Sequence, residues 1–203
     1  MNRNLRQRSG NILLGLFRLA RGDAAGIVEF SNTTAGFSAS LAPLVAFPLV
    51  TAGLIASSGH YRFAALILLS RICTVLIPPV IIEIGARLTN RASTWVMTAT
   101  ALNWSFWLIL PLLLIAEVIA NLLVAAGVPE KGSLIVVIAL IGVYGFWFQW
   151  FTLRAGLRLR WWHALAITLA LDAAVALISG VSFHFDQEFL KLIAAHSHKA
   201  AHS

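Results

Sequence analysis

The chain has 203 residues, of which 59% are hydrophobic and 11% charged, and its net charge is +7. Soluble domains carry roughly 25% charged residues, and a chain of this size has too little interior to hide so much apolar surface from water. The balance excludes an ordinary soluble domain and points to one membrane domain with short polar ends, with lipid as its solvent.

Residues 1–33 form the first segment. Its start, MNRNLRQRSGNILLGLFRLARGD, is basic like a signal peptide, but Arg18 and Arg21 interrupt a short apolar part and no small-residue cleavage site follows. Retention is therefore expected. Within NILLGLFRLARGDAAGIVEF the apolar residues Leu13, Leu16, Phe17, Ala20, Ala24, Ile27 and Val28 recur at helical spacing. The segment is too polar to cross a bilayer. It reads as an amphipathic helix in the interface, its arginines near anionic lipid headgroups, or as a short helix packed on the membrane domain.

Residues 34–184 then supply five stretches near the ~20 apolar residues that ~30 Å of hydrocarbon requires. They run roughly from Phe37 to Ser57, from Tyr61 to Ala86, from Trp95 or Thr98 to about Ala120, from Ser133 to Thr152, and from Trp161 to Phe183. The expected fold is all-α, a polytopic transmembrane bundle of five antiparallel spans behind an N-terminal interfacial helix. Residues 185–203 are a histidine-containing tail.

Basic residues flanking spans stay on the cytoplasmic side. With the N-terminus inside, ten arginines fall in inner segments, against Arg62, Lys131, Lys191 and Lys199 in outer ones. A cytoplasmic N-terminus and a periplasmic C-terminus follow. Trp95, Trp147, Trp150, Trp161 and Trp162 fall near inner span ends, where indoles prefer to sit. Trp104 and Trp107 lie deeper in the third stretch and are expected between helices. Arg18, Arg21, Arg158 and Arg160 are the candidate lipid-headgroup contacts.

Arg71 belongs to neither rim. Ten residues beyond Tyr61, it lies about 15 Å deep, where an uncompensated arginine costs at least ~3 kcal/mol. Asp172, eleven residues beyond Trp161, reaches a similar depth from the other side and is the expected buried partner, with Glu117 second. Glu83 suits Arg87 instead, because glutamate ahead of arginine at i,i+4 is a favoured helical pair. The Arg71, Asp172 and Glu117 set has two readings. It lines an ion or substrate route, or it fixes helix register, the arginine also serving carbonyls freed by Pro78 and Pro79.

The usual catalytic and nucleotide-binding motifs are absent from the sequence, and no cofactor is expected. The single Cys73 permits no internal disulfide. His196, His198 and His202 in the tail are a weak candidate metal site. The basic residues follow the inner rim and form no module for nucleic acid. Small residues at Gly36 and Ser40, and at Ala52 and Ala56, permit close helix packing.

In layout, a cytosolic N-terminal segment, five closely spaced helices and an outer C-terminus, the chain from about residue 11 to 183 resembles the Yip (Ypt-interacting protein) family and its bacterial relatives. GVYGFW around Tyr144 is a faint echo of that family's Gly-Tyr-rich segment. The resemblance implies fold and topology and assigns no catalytic residue. The functional expectation is a non-enzymatic scaffold or accessory protein of a bacterial inner membrane. Its expected partners are the lipid bilayer with its anionic headgroups and another membrane protein or a second copy. The alternative is a small transporter or channel with an intramembrane polar path.

Overall fold

Among the described residues the chain forms seven α-helices, with Gly22, Gly59 and Gly127 at positive φ in three of the breaks. The computed structural model describes residues 10–200, with side chains to residue 180. Helix accounts for 87% of it, and no strand forms among the described residues. Helix α1 (Ile12–Ala20) is followed by a 3-10 segment (Ala24–Glu29) and then by α2 (Thr34–Ser57) and α3 (Tyr61–Leu88). A short 3-10 turn leads into α4 (Trp95–Ser105), and a second one (Phe106–Leu108) separates it from α5 (Ile109–Ala125). Helices α6 (Glu130–Leu157) and α7 (Trp161–Ala200) complete the chain.

Five stretches, α2, α3, α4 with α5, α6 and the first half of α7, are long and apolar enough to cross a membrane. At most 17% of each most apolar stretch is buried inside the chain. So much exposed apolar surface far exceeds the patches a water-soluble monomer tolerates. The chain is a multi-pass α-helical membrane protein.

The N-terminal segment is not one helix. Gly22 takes φ +77°, a left-handed conformation that glycine adopts without steric cost. The Asp23 carboxylate then caps the 3-10 segment by accepting from the Ala25 N–H at 2.9 Å. The two pieces fold against each other through Gly15 and Gly26. A Cβ added to Gly26 would stand 2.6 Å from the Gly15 carbonyl oxygen. Glu29 returns to the start of α1, where its Oε2 accepts from the Asn11 N–H at 3.1 Å.

Third-span geometry also departs from the simple reading. Residues 92–125 number 34, about 51 Å of helix, well beyond ~30 Å of hydrocarbon. The 3-10 turn at Phe106–Leu108 divides this length. From Phe106 to Ala125 alone the chain covers ~30 Å, so this length suffices to cross without α4. Pro111 falls in the first turn of α5, where its missing N–H leaves no helical bond unmade. Helix α4 is instead threaded with polar side chains, and its Thr98, Thr100 and Asn103 are buried.

Contacts divide the described chain into two units. One holds the residues up to Ser40 with Ile82–Thr168, and the other holds Leu41–Ile81 with the chain from Leu169 onward. In the first unit, Leu16, Leu19, Ile27 and Phe30 from the N-terminal segment pack with Ala101 of α4 and Phe148 of α6. Glycine allows the close crossing of α4 and α6, since a Cβ on Gly156 would meet the Thr98 side chain well inside contact distance. Asn103 Nδ2 donates to Ser40 Oγ at 2.9 Å in a buried bond between α4 and α2. Asn32 acts from a distance. Its Oδ1 accepts from the Met97 N–H at 3.1 Å and its Nδ2 donates to the Ser93 carbonyl at 2.9 Å. It thereby caps α4, whose own N-cap residue Thr94 makes no side-chain cap bond. Asn32→Ala is expected to cost about 1–2 kcal/mol, the size of a lost cap, read as an earlier midpoint in SDS-titrated unfolding; no change would mean that water serves the Met97 N–H equally well.

In the second unit α2 carries Pro43 and Pro48, and α3 carries Pro78 and Pro79. Each proline deletes one helix hydrogen bond.

Candidate functional site

The charged residues inside the spans are the first candidates. Arg71 belongs to α3 and the second unit. Helix α3 has 28 residues, so Arg71 sits about 5 Å from its middle. On a 100° helical wheel it shares a face with Ala64, seven residues earlier, and Ile82, eleven later. Both are buried, at 4% and 0% exposure. Arg71 therefore projects from the packing face of α3, and yet it is exposed. The expected burial is not found, because the side chains around this level of α3 do not close over the guanidinium. Among the described residues no ion pair joins Arg71 to Asp172 or Glu117.

Asp172 lies in the same unit on α7, half-buried and next to buried Leu171. Glu117 is exposed on α5, and its Oε1 accepts from Asn121 Nδ2 at 3.1 Å, one helical turn on. Glu83 and Arg87 meet at the end of α3. Both Nε and Nη2 of Arg87 donate to Glu83 Oε1, at 3.0 and 2.6 Å. Among the described residues no three His, Cys, Asp or Glu side chains gather as a metal site requires. The side chains of His196, His198 and His202 lie outside the described residues.

The expected headgroup arginines divide into two kinds. Arg18 is half-buried and faces its own segment, 3.8 Å from both the Asp23 and Glu29 carboxylates. Long, partly exposed pairs of this sort contribute up to ~1 kcal/mol and here tie α1 to the 3-10 segment. Arg21, Arg158 and Arg160 are exposed. Arg21 lies 5.2 Å over the Phe17 ring and Arg160 lies 4.7 Å over Trp162. Such stacking steadies a cation while leaving its donors open.

The second candidate is a furrow that the sequence did not reveal. Helix α1 buries Leu16 and Leu19 but leaves Leu13 76% and Phe17 57% exposed. It therefore packs on the domain, one of the two expectations for this segment, and also presents apolar side chains outward. Beside it opens a cavity of about 770 Å³, lined by α1 residues, Trp104, Trp107, Leu108, the first turns of α5 and Tyr144. A smaller cavity of about 220 Å³ continues it between α5 and α6, sharing Leu112, Ile115 and Tyr144. Tyr144 closes the junction and donates its hydroxyl to the Ala20 carbonyl at 2.9 Å. On α6 the Trp147 ring stacks on Phe151, with centroids 5.5 Å apart, and also faces Gly22. Trp104 and Trp107 stand at the start of the Phe106–Ala125 stretch, which is long enough to cross by itself. Trp104 and Trp147 are partly buried against the core shared by α1, α4 and α6, the packing between helices expected for Trp104, and Trp107 lines the cavity with 38% exposure.

The fold and these features define a class, a helical multi-pass membrane protein with an exposed arginine midway along a candidate span and an apolar furrow. Compared with protein families, with curated proteins and with solved structures, the chain matches none.

Proposed function

We propose that the protein is a non-enzymatic scaffold or accessory subunit of a bacterial inner membrane, Yip-like in layout, with a cytoplasmic N-terminus and a periplasmic C-terminus. It works through helix–helix contacts with another membrane protein or a second copy of itself. One observation carries this reading. Arg71 projects from the packing face of α3, near the helix middle, and its own chain leaves it exposed. A guanidinium at that level requires a counter-charge or water, and a helix of another chain supplies the first while completing the face.

A small transporter or channel is the second reading, and the same face favours it. Arg71 and Asp172 both belong to the second unit, and water between helices would hydrate them along a polar path.

Labelling separates the two. Cys73→Ser is combined with single cysteines at Ser70, Thr74 and Ala173, and intact cells are treated with a small membrane-impermeant thiol reagent. Protection of all three, with full reactivity after denaturation, is the expected result for a scaffold whose face is covered. Labelling at this level in intact cells would replace the scaffold reading with the transport one.

A further inference from the structure

The apolar furrow has the dimensions and chemistry of a lipid site. We propose that it binds one acyl chain of an anionic phospholipid from the leaflet nearest α1, with the phosphate held at Arg21. Three observations meet here.

The first is length. The two cavities run from Leu108, just ahead of α5, along that helix to Ile119, eleven residues on, or ~16 Å at the helical rise. One leaflet contributes half of ~30 Å of hydrocarbon, so the furrow matches one chain descending from the interface to the midplane.

The second is polarity. The lining is aliphatic and aromatic, and its single hydroxyl, that of Tyr144, is already bonded to the Ala20 carbonyl. The other lining donors are the indole N–H groups of Trp104 and Trp107. Indoles at this level suit the ester region of a lipid. A polar solute would find no partners deeper in the furrow.

The third is charge. Phe17 is part of the lining, and the Arg21 guanidinium lies 5.2 Å above its ring. Arg21 forms none of the ion pairs that hold Arg18. Among the described residues Arg21 is thus a cation without an ion pair, beside the apolar slot, at the level where a phosphate sits when its chain enters from the interface. A transmembrane helix of a partner would offer no charge complementary to Arg21 at this level unless it carried an acid there.

Native mass spectrometry of the full chain tests the proposal. The protein is reconstituted in vesicles of three parts phosphatidylcholine to one part phosphatidylglycerol, and then released in mild detergent. Wild type is expected to retain one phosphatidylglycerol in preference to phosphatidylcholine. Arg21→Gln should lower that preference about fivefold, matching the ~1 kcal/mol of one arginine near an anionic surface, and Arg21→Lys should largely keep it. Ile115 lines both cavities and is 56% exposed, so Ile115→Trp fills the furrow without burying new volume in the core. That variant should lose both lipids while its unfolding midpoint stays the same. Retention of lipid by Ile115→Trp, or an unchanged lipid preference in Arg21→Gln, would overturn the assignment. Retention of a polypeptide at the furrow in place of lipid would overturn it equally.

Discussion

Arg71→Leu is expected to make the isolated chain more stable and to abolish the association that the scaffold reading proposes. A leucine at mid-helix favours membrane insertion and an arginine opposes it, a difference of about 3 kcal/mol. Because Arg71 is exposed and has no ion pair to Asp172 or Glu117 among the described residues, the substitution removes that penalty and breaks no pair with those acids. SDS-titrated unfolding of purified protein is expected to show a later midpoint. Chemical crosslinking in native membranes, or co-purification in mild detergent, should show the partner or second copy lost. Arg71→Lys should keep part of the association, since the charge remains without the planar fork. A variant destabilised by 2 kcal/mol or more would show that groups of its own chain hold the guanidinium after all, and the scaffold reading would lose the observation it rests on.

Gly26→Val is expected to force α1 and the 3-10 segment apart and so to loosen the N-terminal segment on the membrane domain. Even a single Cβ at Gly26 would lie 2.6 Å from the Gly15 carbonyl oxygen, 2.8 Å from Arg18 Cβ and 3.0 Å from the Leu19 nitrogen. Two of these neighbours are backbone atoms of α1, so no rotamer change relieves the contact. Overpacking typically costs 1–3 kcal/mol, and valine adds two methyl groups to the first clash. Separation would expose Leu16, Leu19, Ile27 and Phe30, the buried contribution of this segment to its unit. Limited proteolysis should then cut near Gly22 at least tenfold faster than in wild type. Gly142→Ala serves as the control, because nothing stands within 4 Å of a Cβ there. Equal cleavage of Gly26→Val and the control would mean that the segment is held by α4 and α6 without the glycine crossing.

Membrane class and span number were legible because they depend on composition and run length, which lipid reads almost independently of tertiary detail. The ends of α2 and α3, and the start of α7, fall within a few residues of the apolar boundaries. The Glu83–Arg87 contact was legible for a related reason, since i,i+4 neighbours meet on any α-helix. The N-terminal segment was legible only in part. Its apolar spacing marked a helix, but the break at Gly22 depends on a fold-back against Gly15 that periodicity does not encode. The third span shows the same limit. WVMTATALNWSFWLILPLL reads as one apolar run, and its polar residues become intelligible only once Thr98, Thr100 and Asn103 are seen buried against neighbouring helices.

Sequence by itself determined that this protein spans a membrane with five helices, where its charges fall along each span, and which charges share a helical turn. These follow from hydrophobicity and the 3.6-residue period, both local properties of the chain. Tertiary structure alone decided that Arg71 is left exposed on a packing face, that Arg18 is taken up by Asp23 and Glu29 while Arg21 forms no ion pair among the described residues, and that α1 borders an apolar furrow with α5 and Tyr144. Those outcomes depend on how side chains far apart in sequence fill or fail to fill the space between helices, and no local pattern carries that volume.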